Sequence, residues 1–391
     1  MAQVHALLNL LKYSSELLGH VADFNVEAFT SNTPTDKFFD IGYADLLKFV
    51  GGGDDEQQEQ KVLVVNLLRL ITGILAHPNF PLIVKNTKKA QQYLIQVWQR
   101  LLTLRNVIRD GDAEDDEDED NEDDIFFSAA QETIMESMLS LQRLVSLERY
   151  LIITRLLIEF AKEGDETLVR KSLTLLGERL SKVKKGEAEY QEAVEFLRDD
   201  LLKALEADKY GPSVSVAMAT LAVVVGELDG VEEYSDVLKQ ALSAVVKVLK
   251  RESKLSGVSL AVEKLLGKLG AKAMPMVEQL MSGAGVGNGE KAKTLEGLRV
   301  VKSTVKWLGA FVRKYLGTLL QEGWVGWDDG EEEGAEELSD VMVDNVGLRN
   351  FVGVLERGAL GNGGGVEVPI GVLIRMVDKA GKTDIEGSFG R

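Results

Sequence analysis

The stretch VEKLLGKLGAKAMPMVEQLM, residues 262–281, sets a glycine in the middle of a strong helical pattern. Gly267 costs about 1 kcal/mol there relative to alanine, so its reason has to lie outside its own helix. At 221–228 stands LAVVVGEL, and at 304–311 stands TVKWLGAF. Two bulky apolar residues, a glycine, one further residue and another apolar residue recur around Gly226, Gly267 and Gly309, separated by 41 and 42 residues. A fixed period near forty marks stacked helix pairs of the HEAT or armadillo kind.

At about 100° per residue, Val262, Leu265, Leu266 and Leu269 share one face of a helix and Gly267 falls off it. The glycine therefore does not fill the core of its own pair. It lets a neighbouring helix approach, or it keeps the inner surface of the stack shallow. Gly177 begins the series 49 residues before Gly226, which a longer connection between helices accommodates.

Apolar residues recur at helical spacing along most of the chain, and the expected fold is an all-α, HEAT/armadillo-like α-solenoid of stacked helix pairs. Helices are expected over 61–76, 86–109, 128–145, 147–162, from Asp165 onward, and over 187–207. Further helices are expected over 213–228, 234–251, 256–269, 273–282, 291–321 and 338–357. Asp165 is placed to cap the helix that follows it, in which Val169, Leu173, Leu176 and Leu180 form a stripe. Leu94, Val97, Trp98, Leu101, Leu104 and Ile108 form another. GAGVGNG, 283–289, reads as a flexible loop. The domain order is N-terminal helical repeats over 1–109, an acidic disordered loop over 110–127 and HEAT-like repeats over 128–322. An acidic insertion over 323–340 and C-terminal helices with a polar tail over 341–391 complete it.

The 391 residues hold 45% hydrophobic residues but only 6% aromatic ones, a composition suited to helices packed on helices. Six prolines leave long stretches free to be helical. With no cysteine, disulfides and thiolate metal sites are excluded. No run of eighteen apolar residues occurs, and MAQVHALLNLLKYSSELL lacks the basic start of a signal peptide. The net charge of −18 comes from two tracts. DGDAEDDEDEDNEDD, 110–124, carries twelve acidic groups, and DDGEEEGAEELSD, 328–340, carries eight, leaving the remainder at +2. Such blocks repel themselves and stay solvated, or dock a basic partner. Trp324 and Trp327 flank the second tract and are expected to anchor it to the body.

Three glycine-rich pieces imitate phosphate loops. AGKT, 380–383, has Met376 where a P-loop requires its first glycine. In GVGNGEK, Glu290 separates Gly289 from Lys291, and GNGGG, 361–365, has no lysine. His5, His20 and His77 are far apart in sequence and form no metal-ligand pair. The acidic residues show no spacing that would hold two carboxylates across a cleft. No catalytic residue, cofactor, metal, small-molecule substrate or membrane contact is expected. The candidate contact residues are basic: Lys182, Lys184 and Lys185 at one helix exit, and Lys250, Arg251 and Lys254 at another. The helix dipole alone favours cations there; contact with RNA phosphates or with protein is the functional alternative.

The serial order of several segments resembles the very large HEAT-repeat protein family of the UtpA (t-UTP) subcomplex of the small-subunit processome. The matching pieces are LLRLITGILAHPNF (67–80) and YLIITRLLIEFAKEGDETLVRKSLTLLGERLSK (150–182). They continue with SVSVAMATLAVVVGEL (213–228), VLKQALSAVVKVLK and LAVEKLLGKLGAKAMPMVEQLM. The resemblance spans roughly 60–282; the acidic tract, the glycine-rich connections and the C-terminal third depart from it. Members of the family are much longer, so the chain reads as an internal segment. The resemblance implies a non-catalytic scaffold in the nucleus and nucleolus that supports early pre-rRNA processing of the small subunit, and extends to rRNA transcription. The partners it implies are other processome proteins, pre-ribosomal RNA and small nucleolar RNA. The alternative is a HEAT-type transport receptor or regulatory adaptor that holds a peptide or domain in its concave face. The regular Trp and Asn ladder of karyopherin-like solenoids is absent from the spacing of Trp98, Trp307, Trp324 and Trp327.

Overall fold

Helical periodicity with few prolines leaves the backbone one economical way to satisfy its hydrogen bonds. Among the described residues all regular structure is helical and there is no strand. The computed structural model describes residues 68, 70–75, 88–112, 122–160, 162, 165–207, 211–252, 255–288, 294–322, 324, 338–346 and 350. The chain divides into two units, 1–157 with 165–175, and 158–164 with 176–391.

In the first unit α1 (Lys88–Asp112) packs on α2 (Glu122–Leu144). The expected stripe of α1 is buried at Leu94, Val97, Trp98 and Leu101, joined by Ile95 and Leu102. Helix enters the first acidic tract from both sides, to Asp112 and from Glu122, while 113–121 lie outside the described residues. Helices α3 (Leu147–Glu159) and α4 (Glu166–Leu180) follow, and the end of α4 from Leu176, with Gly177, belongs to the second unit. A buried polar cluster ties α2, α3 and α4 together: Gln142 Nε2 donates to Ser172 Oγ at 3.0 Å, and the Tyr150 hydroxyl is shared between Ser172 O (2.6 Å) and Gln142 Oε1 (3.1 Å). Asp165 does stand at the entry to α4, where its carbonyl accepts from Val169 N at 2.9 Å. Its carboxylate forms a buried ion pair with Arg105 of α1.

The second unit holds the longer series. α5 (Ala188–Glu195) runs through a π-helical turn, Phe196–Leu201, into α6 (Leu202–Glu206). Next come α7 (Pro212–Glu227), α8 (Ser235–Arg251), α9 (Val258–Leu269) and α10 (Val277–Gly283). α11 (Leu295–Val312), α12 (Leu316–Gln321) and α13 (Leu338–Val346) complete it. α7 packs on α9, α9 on α11 and α11 on α13, while α8 lies against α6, α9 and α10. The sequence of α7 is apolar nearly all round, with nine buried residues from Val214 to Val225, because it is covered on more than one side.

The local causes are plain in α9. Gly257 enters it at φ 87° and Gly270 leaves it at φ 51°, conformations that a β-carbon would strain. Between them Val262, Leu265, Leu266 and Leu269 are all buried, as their spacing predicts. Each such leucine contributes about 1.5–3 kcal/mol.

Three expected elements differ. The helix expected over 273–282 begins within a 3-10 segment, Gly270–Met276, and is α-helical only from Val277. The helix expected over 291–321 is interrupted: Leu308 leaves helical geometry (φ −128°, ψ 24°), and a 3-10 turn occupies Arg313–Tyr315. In GAGVGNG, expected as a flexible loop, Gly283 closes α10 and only Gly287 and Asn288 are exposed among the described residues. Gly283 to Val286 are buried, and Gly287 N donates to the Glu322 carboxylate at 3.0 and 3.1 Å. Trp324 is fully buried, with Nε1 donating to Glu322 at 3.0 Å. Trp327, His5, His20, His77, the tract 328–337 and the glycine-rich pieces at 361–365 and 380–383 lie outside the described residues.

Candidate interaction surface

The recurring glycines all face the next helix in the series. A β-carbon on Gly177 of α4 would touch Glu227 and Val223 of α7 at 3.5 Å. On Gly226 of α7 it would meet the Lys264 stem of α9 at 3.2 Å, and on Gly267 of α9 the Trp307 ring of α11 at 3.2 Å. On Gly309 of α11 it would run into the backbone of Asn345 in α13. Only at Gly309 does the neighbour's backbone leave no room for a side chain; Gly226 and Gly267 face side chains that can give way, and the contact at Gly177 is ordinary.

Polar contacts repeat the same offset. Ser215 and Ser256 hydroxyls lie 3.1 Å apart, Lys268 Nζ donates to Leu228 O at 3.3 Å, and Lys306 pairs with Glu263 at 2.9 Å. The partners are 41, 40 and 43 residues apart. The first turn of α9 has no side-chain cap of its own. Glu296 of α11, itself buried, accepts from Ser259 N at 2.9 Å instead.

The predicted basic residues do not form one patch. Lys182, Lys184 and Lys185 are exposed in the turn between α4 and α5. Lys185 pairs with Glu233, just before α8, and its stem lies against Gly230. Asp229, Glu232 and Glu233 also gather there. Their charge adds to burial and to Tyr234 in pushing the Tyr190 phenol up to about 12. Lys250 and Arg251 stand at the far end of α8, about 25 Å of helix away. Lys250 is exposed, whereas Arg251 is half-buried, paired with Glu252 at 3.3 Å and directed to Ala207 O at 3.5 Å. Lys254 lies outside the described residues.

Sequence reasoning did not single out the exposed aromatic residues of α11. With Gly267 and Gly309 aligned, Trp307 and Phe311 take the register of Leu265 and Leu269, which are core residues of α9. Yet Trp307 is 42% and Phe311 39% exposed. Val300, Ser303 and Thr304 keep the buried register of Val258, Ala261 and Val262. The register departs at the end of α11, where Leu308 leaves helical geometry. Only the substitution of aromatic residues for leucine in the repeated motif could have signalled it.

Among the described residues no helix is long and apolar enough to cross a membrane, and no group of three His, Asp or Glu side chains is placed to hold a metal ion. No protein-family model and no curated protein matches the chain.

Proposed function

We propose that the chain is a segment of a HEAT-like α-solenoid that acts as a non-catalytic scaffold in nucleolar ribosome biogenesis. In this reading it supports early pre-rRNA processing of the small subunit, and rRNA transcription with it. The observation that carries the architectural part is the serial packing of α4, α7, α9, α11 and α13 through glycines and polar pairs about one repeat apart. Helices joined to their neighbours in sequence expose a long surface that can hold several proteins at fixed separations. The functional part rests on the order of segments that resembles the UtpA scaffold family. Its partners are other processome proteins. Pre-ribosomal or small nucleolar RNA would be met at exposed cations such as Lys182, Lys184 and Lys250.

Depletion of the full-length parent should impair production of small-subunit rRNA, and the tagged parent should co-purify with early small-subunit precursors. Normal rRNA processing in depleted cells would overturn the reading. An adaptor that binds a peptide or domain is the second reading, favoured by the exposed Trp307 and Phe311.

A further inference from the structure

The second unit exposes large apolar side chains in two neighbouring helices. On α9 and the 3-10 segment after it, Leu260 (45%) and Met274 (47%) are exposed; on α11, Trp307 and Phe311 are. Leu260, Lys264 and Gly267 follow one another at helical spacing on α9, and all three are exposed. Trp307 and Phe311 stand on either side of Leu308, where α11 leaves helical geometry. The Trp307 ring lies against Gly267, which lacks the side chain that would hold it off, so the seam between the two helices is a ledge. The segment that carries Met274 also packs on α11.

The helices of the ledge carry more cations than carboxylates, while α13, which packs on α11, adds the exposed Asp344 and no cation. Residues 255–288 and 294–322 hold eight Lys and Arg against four Glu. Two of those carboxylates are already committed to backbone N–H groups, Glu296 to Ser259 and Glu322 to Gly287. The other two are paired with lysines, Glu263 with Lys306 and Glu278 with Lys314. Lys264, Lys272 and Arg313 are exposed and have no ion pair among the described residues.

We propose that this ledge docks an acidic amphipathic helix of a partner protein. Its apolar side chains would cover Trp307 and Phe311, and its carboxylates would meet Lys264, Lys272 and Arg313. The inference rests on the scaffold reading for its biological setting only; the surface itself stands on exposure, register and charge. Apolar cover for two exposed aromatic rings, with Leu260 exposed on α9 and Met274 on the segment packed against α11, fits a helix laid across them. A single-stranded nucleic acid would stack on the rings but gain nothing from the aliphatic Leu260 and Met274 side chains.

The test uses the full chain and a fluorescein-labelled amphipathic peptide of Glu, Leu and Phe, read by anisotropy. The controls are the same peptide with Lys for Glu, and a labelled oligouridylate. The acidic peptide should bind with a Kd of roughly 10–100 µM, and Trp307→Ala should weaken it about tenfold. The double variant Lys264→Glu/Arg313→Glu leaves both rings in place and should weaken binding as much, with a smaller salt dependence. Absence of saturable binding, or binding indifferent to both variants, would overturn the proposal. So would equal affinity for the lysine peptide, or a tighter, Trp307-dependent affinity for oligouridylate. A tenfold gain in peptide affinity on replacing 328–337 with a neutral linker would also overturn it, in favour of the chain's own acidic tract as the occupant. None of these results depends on rRNA processing, so the ledge and the nucleolar role can fail separately.

Discussion

A β-carbon on Gly309 would stand 2.7 Å from the carbonyl carbon of Asn345, so α11 and α13 meet backbone to backbone at that point. Gly309→Ala has to push the two helices apart, because no flexible side-chain end can give way. The overpacking is expected to cost about 1–3 kcal/mol, more than the roughly 1 kcal/mol that alanine returns in helix propensity. Gly267→Ala meets only the exposed ring of Trp307, which can tilt outward, and should be neutral or stabilising by up to about 1 kcal/mol. Urea midpoints of the two variants check the contrast. Equal destabilisation would show that Trp307 is held as firmly as the Asn345 backbone.

Leu266 is fully buried in α9 and Lys264 is exposed two residues away. Leu266→Asp forfeits about 1.5–3 kcal/mol of burial and adds an unpaired buried carboxylate. Cooperative unfolding of the second unit should be lost or strongly shifted. Lys264→Asp should change stability by roughly 0.5 kcal/mol or less, since the stem has only the edge of Gly226 to leave. Thermal melts followed by helical circular dichroism would separate the two.

Glu296 caps a helix that is not its own. Glu296→Ala strands the Ser259 N–H at the start of α9 and is expected to cost about 1–2 kcal/mol. Glu296→Gln keeps an acceptor oxygen and should cost less than half of that. Hydrogen exchange at the first turn of α9 should quicken in the alanine variant. Unchanged exchange there would mean that the carboxylate contributes nothing to holding α9.

The Tyr190 phenol titrates near 12 in the folded chain, raised first by burial and then by Tyr234 and the carboxylates around it. An unfolded tyrosine ionises near 10, so unfolding becomes favoured as pH rises. The stabilising contribution is whole below about pH 10 and is lost as pH climbs through the folded value. Melting temperature should therefore fall between pH 10 and 12, and Tyr190→Phe should flatten that part of the profile. A phenolate absorbance titration of the wild type minus the variant should place the missing midpoint near 12.

Much of the helix content could be read from the chain because helical burial is a local, periodic property. Val262, Leu265, Leu266 and Leu269 lie on one face whatever packs against them, and the same holds for Leu94, Val97, Trp98 and Leu101. The repeated glycine, too, was visible before any neighbour was known. The contact each glycine makes was not, because its partner lies on the following helix: Lys264 for Gly226, Trp307 for Gly267, Asn345 for Gly309.

Tertiary structure also decided which side chains stay outside. Trp307 and Phe311 stand in the register of core leucines, yet they are exposed in the part of α11 where Leu308 leaves helical geometry. GAGVGNG reads as a loop by composition, but Glu322 supplies a distant acceptor for Gly287 N, and residues 283–286 are buried. The basic clusters read as helix ends in the sequence, but the length of α8 keeps them apart and Glu233 takes up Lys185. In each case the sequence determined the local period and the chemical group. The position of a second helix, set by packing tens of residues away, decided whether that group was covered, paired or left on the surface.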